Sequence, residues 1–133
     1  MKDLLQAVYK HYTLTDTTPP IQTYYEGQAK PTDVTMHRCE IHLFGPFTNY
    51  VGRSGYMAWK VYVHLTLKLG SGVYNWADIV DMYIAQAHLP LTFQDEDGNF
   101  IECVALDRIR VVYKGAIEFL EYCQIEIEYQ KEI

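Results

Sequence analysis

The stretch Trp59-Lys60-Val61-Tyr62-Val63-His64-Leu65-Thr66-Leu67-Lys68-Leu69 alternates between apolar and polar side chains. Successive side chains of a β-strand point to opposite faces of a sheet, so this alternation predicts one long strand over 57–69. One face of that strand would be buried, and the face with Lys60, Tyr62 and His64 would be wetter. Strands with one buried face are typical of antiparallel sheets, in which the other face can meet water.

Two segments have the apolar spacing of amphipathic helices. Residues 2–14 present one apolar stripe that includes Leu4 and Val8, and the run 15–20 ends this helix at a pair of prolines. Residues 73–88 present a second apolar stripe, and Pro90 ends the helix predicted there. Gly70-Ser-Gly72 separates the second helix from the long strand.

Shorter alternating or apolar segments predict further strands at 21–25, 34–44, 91–93, 100–104, 107–113 and 120–130. The turn-rich run 95–99 predicts a hairpin, and a second hairpin would turn near Lys114-Gly115. Matching parity then puts Arg108 and Arg110 on the face that carries Glu126. The expected fold is a single α+β domain over 1–133: a mostly antiparallel mixed β-sheet with two amphipathic helices packed on one face.

Composition narrows the function classes. The chain has 133 residues and a formal net charge of −6, which gives no general electrostatic reason for tight phosphate binding. Cys39, Cys103 and Cys123 lack CxxC or Cys/His spacing, which favours buried thiols in a reducing compartment. A signal peptide and a membrane-spanning run are not recognisable, so a soluble cytoplasmic protein is expected.

Patterns for catalysis or metal binding are weak. The carboxylates of 95–99 have the wrong spacing for a calcium loop, and the serines lack the nucleophile motif of hydrolases. Gly70-Ser-Gly72 lacks the lysine and the length of a phosphate loop. Glu40, His42 and His64 would meet in one register of the strands, so a small polar site formed by these three residues remains an alternative. Otherwise we expect no catalytic residue, no metal and no cofactor.

The segment Gly45–Tyr56 is the best candidate for a protein interface. It is expected to be a long loop that joins two strands, and it carries Phe47, Tyr50, Arg53 and Tyr56. Aromatic residues and arginine are enriched at the energetic centres of interfaces. Alternatively, the rings of a mobile loop fold back on the sheet.

The order of elements also resembles a known family. An initial helix is followed by Tyr24-Tyr-Glu-Gly-Gln-Ala-Lys-Pro31 and a strand, then by Trp59–Leu69, Gly70-Ser-Gly72 and a second helix. A hairpin follows, and the last strand ends in Cys-Gln-Ile-Glu-Ile-Glu-Tyr129. This order, over nearly the whole chain, resembles the tail terminator (tail completion) and related minor tail proteins of long-tailed bacteriophages.

The resemblance implies a non-enzymatic structural protein of the virion tail, assembled in the host cytoplasm. Its partners would be other copies of itself in a homo-hexameric ring, the tail tube protein and the head connector protein. DNA would pass through the ring without sequence-specific binding, and no membrane would be involved. An acidic lumen or surface would then include Glu121, Glu126 and Glu128.

Two other classes of function remain open. The chain could be a different head–tail joining or minor tail component, with other partners or another ring size. It could also be a small ligand-binding or enzymatic α+β domain, which convergence and burial of Glu40, His42 and His64 would favour.

Overall fold

The computed structural model describes residues 2–17, 20–51, 54–70, 74–95 and 97–132. They form one α+β domain in which the helices and strands follow the predicted order. The elements are α1 (Lys2–His11), β1 (Ile21–Tyr25), β2 (His37–Val51), β3 (Ser54–Lys68), α2 (Trp76–Ala87), β4 (Leu91–Gln94), β5 (Phe100–Cys103), β6 (Arg110–Ile117) and β7 (Leu120–Glu132).

Within these described ranges, the main sheet has five strands in the order β1-β2-β3-β7-β6. The β1–β2 pair is parallel, whereas β2–β3, β3–β7 and β6–β7 are antiparallel. A separate antiparallel pair, β4–β5, forms the second sheet. The predicted mixed and mostly antiparallel character of the main sheet is therefore confirmed.

The buried face of β3 anchors the hydrophobic core. Trp59, Val61, Val63, Leu65 and Leu67 are all buried, as the alternating sequence predicts. Inward residues of the neighbouring strands, buried residues of both helices and Tyr12, just after α1, belong to the same cluster; the strand and helix residues include Cys39, Ile41, Ile125, Ile127, Leu4, Val8, Ile79, Val80 and Tyr83. Full burial of one large apolar side chain contributes about 1.5–3 kcal/mol, so this cluster is the main source of stability.

Both helices are shorter than their apolar stripes suggest. Helix α2 begins at Trp76, because Asn75 adopts an extended conformation and its Oδ1 accepts the N–H of Ala77 at 3.0 Å; the predicted start at residue 73 lies outside the described residues. This is an N-cap, which supplies a partner for an otherwise unpaired donor. Helix α1 ends at His11, and just beyond it the Thr13 hydroxyl donates to the carbonyl of Tyr9 at 2.6 Å.

The predicted long loop at 45–56 is wrong. Strand β2 continues to Val51 and β3 begins at Ser54, so the two strands form one extended hairpin. The pairing shifts between Phe44 and Phe47, which marks a bulge, and resumes with Phe47 opposite Ala58. The bulge absorbs Gly45 and Pro46, the residues that suggested a loop.

The position of the last turn also differs from the prediction. Strand β6 passes through Gly115 in a second bulge and ends at Ile117, so the turn to β7 lies at 118–119. The predicted parity of this hairpin is nevertheless confirmed, since Arg110 lies opposite Glu126 and Val111 opposite Ile125.

Candidate interaction surfaces

The outward face of the main sheet, here called the polar face, is built from the second set of alternating residues. On β3 it carries Lys60, Tyr62, His64, Thr66 and Lys68, all of them partly buried. The register then brings the matching residues of β2 and β7 beside them. Side chains on such a face pack against cross-strand neighbours, which explains why few of them are fully exposed.

Glu40, His42 and His64 meet on the polar face. Glu40 lies directly opposite His64, and Nε2 of His42 is 2.5 Å from Oε1 of Glu40. The rings of His42 and His64 contact each other edge to face, with centroids 4.6 Å apart. Lys30 forms an ion pair with the other carboxylate oxygen of Glu40, and Glu26 lies 3.6 Å from Nδ1 of His42. The convergence that the sequence left open is therefore present, although these side chains remain partly exposed.

The environment of His64 favours its neutral form. Burial, the neighbouring His42 and then Lys114 lower the pKa of His64 to about 4, against a smaller opposing effect of Glu26. The ring lies at the side of a shallow depression of about 320 Å³ with Glu26, Tyr62 and Gln124. Among the described residues, no group of three or more His, Cys, Asp or Glu side chains is arranged to hold a metal ion.

A second polar cluster on this face pairs acidic with basic side chains. Nζ of Lys60 is 2.8 Å from Oε1 of Glu126 and 3.6 Å from Oε1 of Glu128. Arg108 lies 3.6 Å from the other carboxylate oxygen of Glu128. The hydrogen bond to Glu126 is the main cause of the raised pKa of Lys60.

Glu121 does not join Glu126 and Glu128. It is buried on the opposite face of β7, where its carboxylate accepts hydrogen bonds from the hydroxyls of Tyr113 at 2.6 Å and Tyr74 at 3.4 Å. We expected the three glutamates to share one acidic lumen or surface. Because successive side chains of a strand point to opposite faces, Glu121 lies on the other face from Glu126 and Glu128.

The predicted interface residues lie on or near the β2–β3 hairpin. Phe47 is exposed and its ring contacts that of Phe44 at a centroid distance of 5.0 Å. These two rings border a cleft of about 120 Å³ that reaches Trp59. Tyr56 is partly buried on β3. Tyr50 lies in β2, and Arg53 falls outside the described residues.

The sheet has two edge strands, and they differ in how their backbone is covered. At β1, the hydroxyl of Tyr9 donates to the carbonyl of Thr23 at 3.3 Å, and Oε1 of Gln28 accepts the N–H of Tyr25 at 3.2 Å. Side chains thus occupy part of this edge. Beyond Ile41, β2 has no paired neighbour on the β1 side within the described ranges, and there Pro46 and the bulge interrupt the ladder. Proline and bulges are common devices against strand addition.

The other edge strand, β6, also has a bulge, between Tyr113 and Gly115, but no side chain of the described residues hydrogen-bonds to its backbone. Val111, Tyr113 and Ile117 are all exposed on this strand, and Ile117 reaches 65% exposure. At the following turn Phe119 is 76% exposed, and its carbonyl accepts the N–H of the exposed Leu69 at 2.9 Å. The periodicity of the sequence does not give the order of strands in a sheet, so this edge could not be predicted from it.

No protein-family model matches this chain, and a search of the curated proteins finds no match. Six chains of solved structures are similar to it. One of them, whose name states no function, has a TM-score of 0.59 and 12% sequence identity, over 98% of this chain and 94% of that chain. At this identity the likeness shows the fold alone.

Two further features bear on chemistry. The thiols of Cys39, Cys103 and Cys123 are buried, and burial is the main cause of the raised pKa of each. A reactive cysteine instead needs an accessible thiolate. Neither of the helices in the described ranges is long and apolar enough to cross a membrane.

Proposed function

We propose that this chain is a structural subunit of an oligomeric assembly, and specifically a tail terminator that forms a ring at the head-proximal end of a phage tail tube. The observation that carries the assembly role is the edge strand β6, with its exposed Val111, Tyr113 and Ile117. Exposed apolar residues on an edge strand are a hazard in a monomer and are expected where another chain pairs.

In the proposed subunit both helices pack on the apolar face of the sheet, which leaves the polar face free to line a lumen. Shared membership of Leu4, Val8, Val80 and Tyr83 in the core cluster supports this arrangement. On the polar face, Glu126 and Glu128 are close to Lys60 and Arg108. A surface of paired charges attracts phosphate weakly, which suits a passage for DNA that is not read.

A terminator must also contact different partners at its two ends. Exposed apolar residues occur at two separate places along the long strands: Phe44 and Phe47 flank the bulge of β2, and Phe119 and Leu69 lie beyond the other end of the β2–β3 ladder. Ten residue steps along β3 separate Ala58, opposite Phe47, from Lys68, beside Leu69. At about 3.3 Å per residue this is roughly 33 Å, far enough for two separate contacts. The tail tube protein and the head connector protein are the proposed partners.

Assembly with purified tail tubes tests this function. The chain should bind at one end of each tube, and negative-stain images should show a ring-shaped cap there. A chain with charge-reversing substitutions on β6 is the matched variant, since it should fold and fail to cap. Binding along the length of the tubes, or no binding by either form, would contradict the terminator role.

A small ligand-binding domain is the second candidate, because Glu40, His42 and His64 converge beside a depression on the polar face. Its test is a ligand screen by thermal shift, comparing the native chain with the His64→Gln variant. Stabilisation of the native chain alone would favour this candidate over assembly.

A further inference from the structure

A second strand of the same chain, β5, has the features needed to pair with the exposed edge of β6. Within the second sheet, strand β5 has exposed Phe100 and Glu102, and the exposed Val104 follows it. Asp95 and Asn99 form a hydrogen-bonded pair through the N–H of Asp95, at 2.9 Å. Because hydrogen-bonded and non-bonded pairs alternate in an antiparallel ladder, the backbone groups of Phe100 and Glu102 point away from β4.

The two strands carry opposite charge. Arg110 and Lys114 are the charged residues of β6, and both are exposed. Glu102 is the charged residue of β5, and the exposed Asp97 lies in the turn before it. Opposite charges across paired strands stabilise them, whereas like charges directly opposite each other destabilise them. Pairing of β6 with β6, or of β5 with β5, would gather like charges; pairing of β5 with β6 joins unlike ones.

We propose that β5 of one copy adds to the β6 edge of a second copy of this chain. This inference rests on the proposed assembly function and names the two surfaces that meet. Main-chain hydrogen bonds would hold the strands together. Phe100, Glu102 and Val104 share one face of β5, and Arg110 and Ile117 share the polar face of β6, so Glu102 would meet the basic residues while Phe100 or Val104 covers Ile117 of the neighbour. The contact joins two different surfaces, so each copy keeps one free strand of each kind, and repetition generates a ring when the rotation closes.

Such a head-to-tail contact makes a specific prediction for charge reversal. A β6 variant, Arg110→Glu with Lys114→Glu, and a β5 variant, Asp97→Lys with Glu102→Lys, should each associate more weakly than the native chain. We expect the dissociation constant to rise roughly tenfold or more, because like charges then face each other at every contact. Each variant keeps the native form of the strand that was not changed.

An equimolar mixture of the two variants is the decisive sample. The native β5 of one variant meets the native β6 of the other, and the two reversed strands also match, so an alternating assembly is complementary at every contact. Sedimentation velocity should therefore show that the mixture recovers the native sedimentation coefficient, with both variants present in equal amounts. A control with Asp16→Lys and Asp33→Lys, exposed residues outside both strands, should behave like the native chain.

Circular dichroism would first establish that every variant is folded. If the native chain associates and neither variant is weakened, or if the mixture is no stronger than its components, this contact is overturned while the assembly function stands. If the native chain remains a monomer at every concentration, both the contact and self-assembly are overturned.

Discussion

The hydroxyl groups of Tyr12 and Tyr129 are hydrogen-bonded to each other inside the protein. Tyr12 follows the first helix and Tyr129 lies near the end of the last strand, so this bond connects the two ends of the chain. Both rings are almost completely inaccessible to solvent. Burial is the largest cause of the raised pKa of both hydroxyls, which therefore stay neutral at physiological pH.

Replacing either tyrosine by phenylalanine should lower the free energy of unfolding by about 1–3 kcal/mol, because the remaining hydroxyl is buried without a partner. The double variant, Tyr12→Phe with Tyr129→Phe, should cost less than the sum of the two single changes. Urea denaturation of the four proteins measures this coupling. Strict additivity would mean that the two hydroxyls do not interact.

Gly45 should be the least replaceable of the glycines compared here. Its φ is +106°, and an added Cβ would lie 3.1 Å from the carbonyl oxygen of Ala58. Gly27 also has a positive φ of +83°, but its Cβ would meet nothing within 4 Å. We expect Gly27→Ala to cost about 1 kcal/mol of unfolding free energy and Gly45→Ala about 2 kcal/mol or more. Equal losses in thermal or urea unfolding would show that the close approach does not matter.

His64 should make the protein less stable in mild acid. Its pKa is lowered to about 4 in the folded protein from an ordinary value of 6.5. Between these pH values the unfolded chain binds a proton that the folded chain does not, so stability falls as the pH falls. The slope for one group is at most about 1.4 kcal/mol per pH unit, and is smaller here because the ring is partly exposed to water.

The measurement is urea unfolding at several pH values between 7.5 and 4.5, with native protein and the His64→Gln variant. The variant should lose less stability over this range than the native protein does. Burial also lowers the pKa of His11 and His37, so some acid sensitivity should persist. Identical pH profiles for the two proteins would contradict the role of His64.

The β2–β3 hairpin should contribute to assembly. Substitution of Phe47, Tyr50 and Arg53 by alanine together should shift the oligomer toward monomers, because the aromatic and arginine side chains predicted to anchor the contact are lost. Since Phe47 is already exposed, its replacement should contribute little to any change in unfolding by heat. An unchanged oligomer would remove these residues from the proposed contact.

Alternation of side chains predicted much of the fold. The buried and polar faces of β3 and the pairing parity of β6 with β7 follow directly from a period of two. Residues that break secondary structure were harder to interpret, because Gly45, Pro46 and Gly115 signal a loop and a bulge equally well. The parallel pairing of β1 with β2 depends on the path of the connecting chain, about which local sequence says little.

The candidate surfaces were predictable only in part. The meeting of Glu40, His42 and His64 required a register that the hydrophobic pattern leaves open, although their shared face was clear. Glu121 and Glu126 have opposite parity on β7, so the alternation of side chains already placed them on different faces. The expectation of one acidic surface did not take this parity into account. The exposed edge β6 depends on the order of strands in the sheet, which is a tertiary property.

The most direct test of self-assembly is the mass of the native chain in solution, measured by light scattering after size exclusion over a range of protein and salt concentrations. We predict an oligomer, six copies for the terminator ring, or a monomer that converts to such rings as concentration rises. A mass of one chain at every protein and salt concentration would contradict the claim that this protein works by assembling with copies of itself.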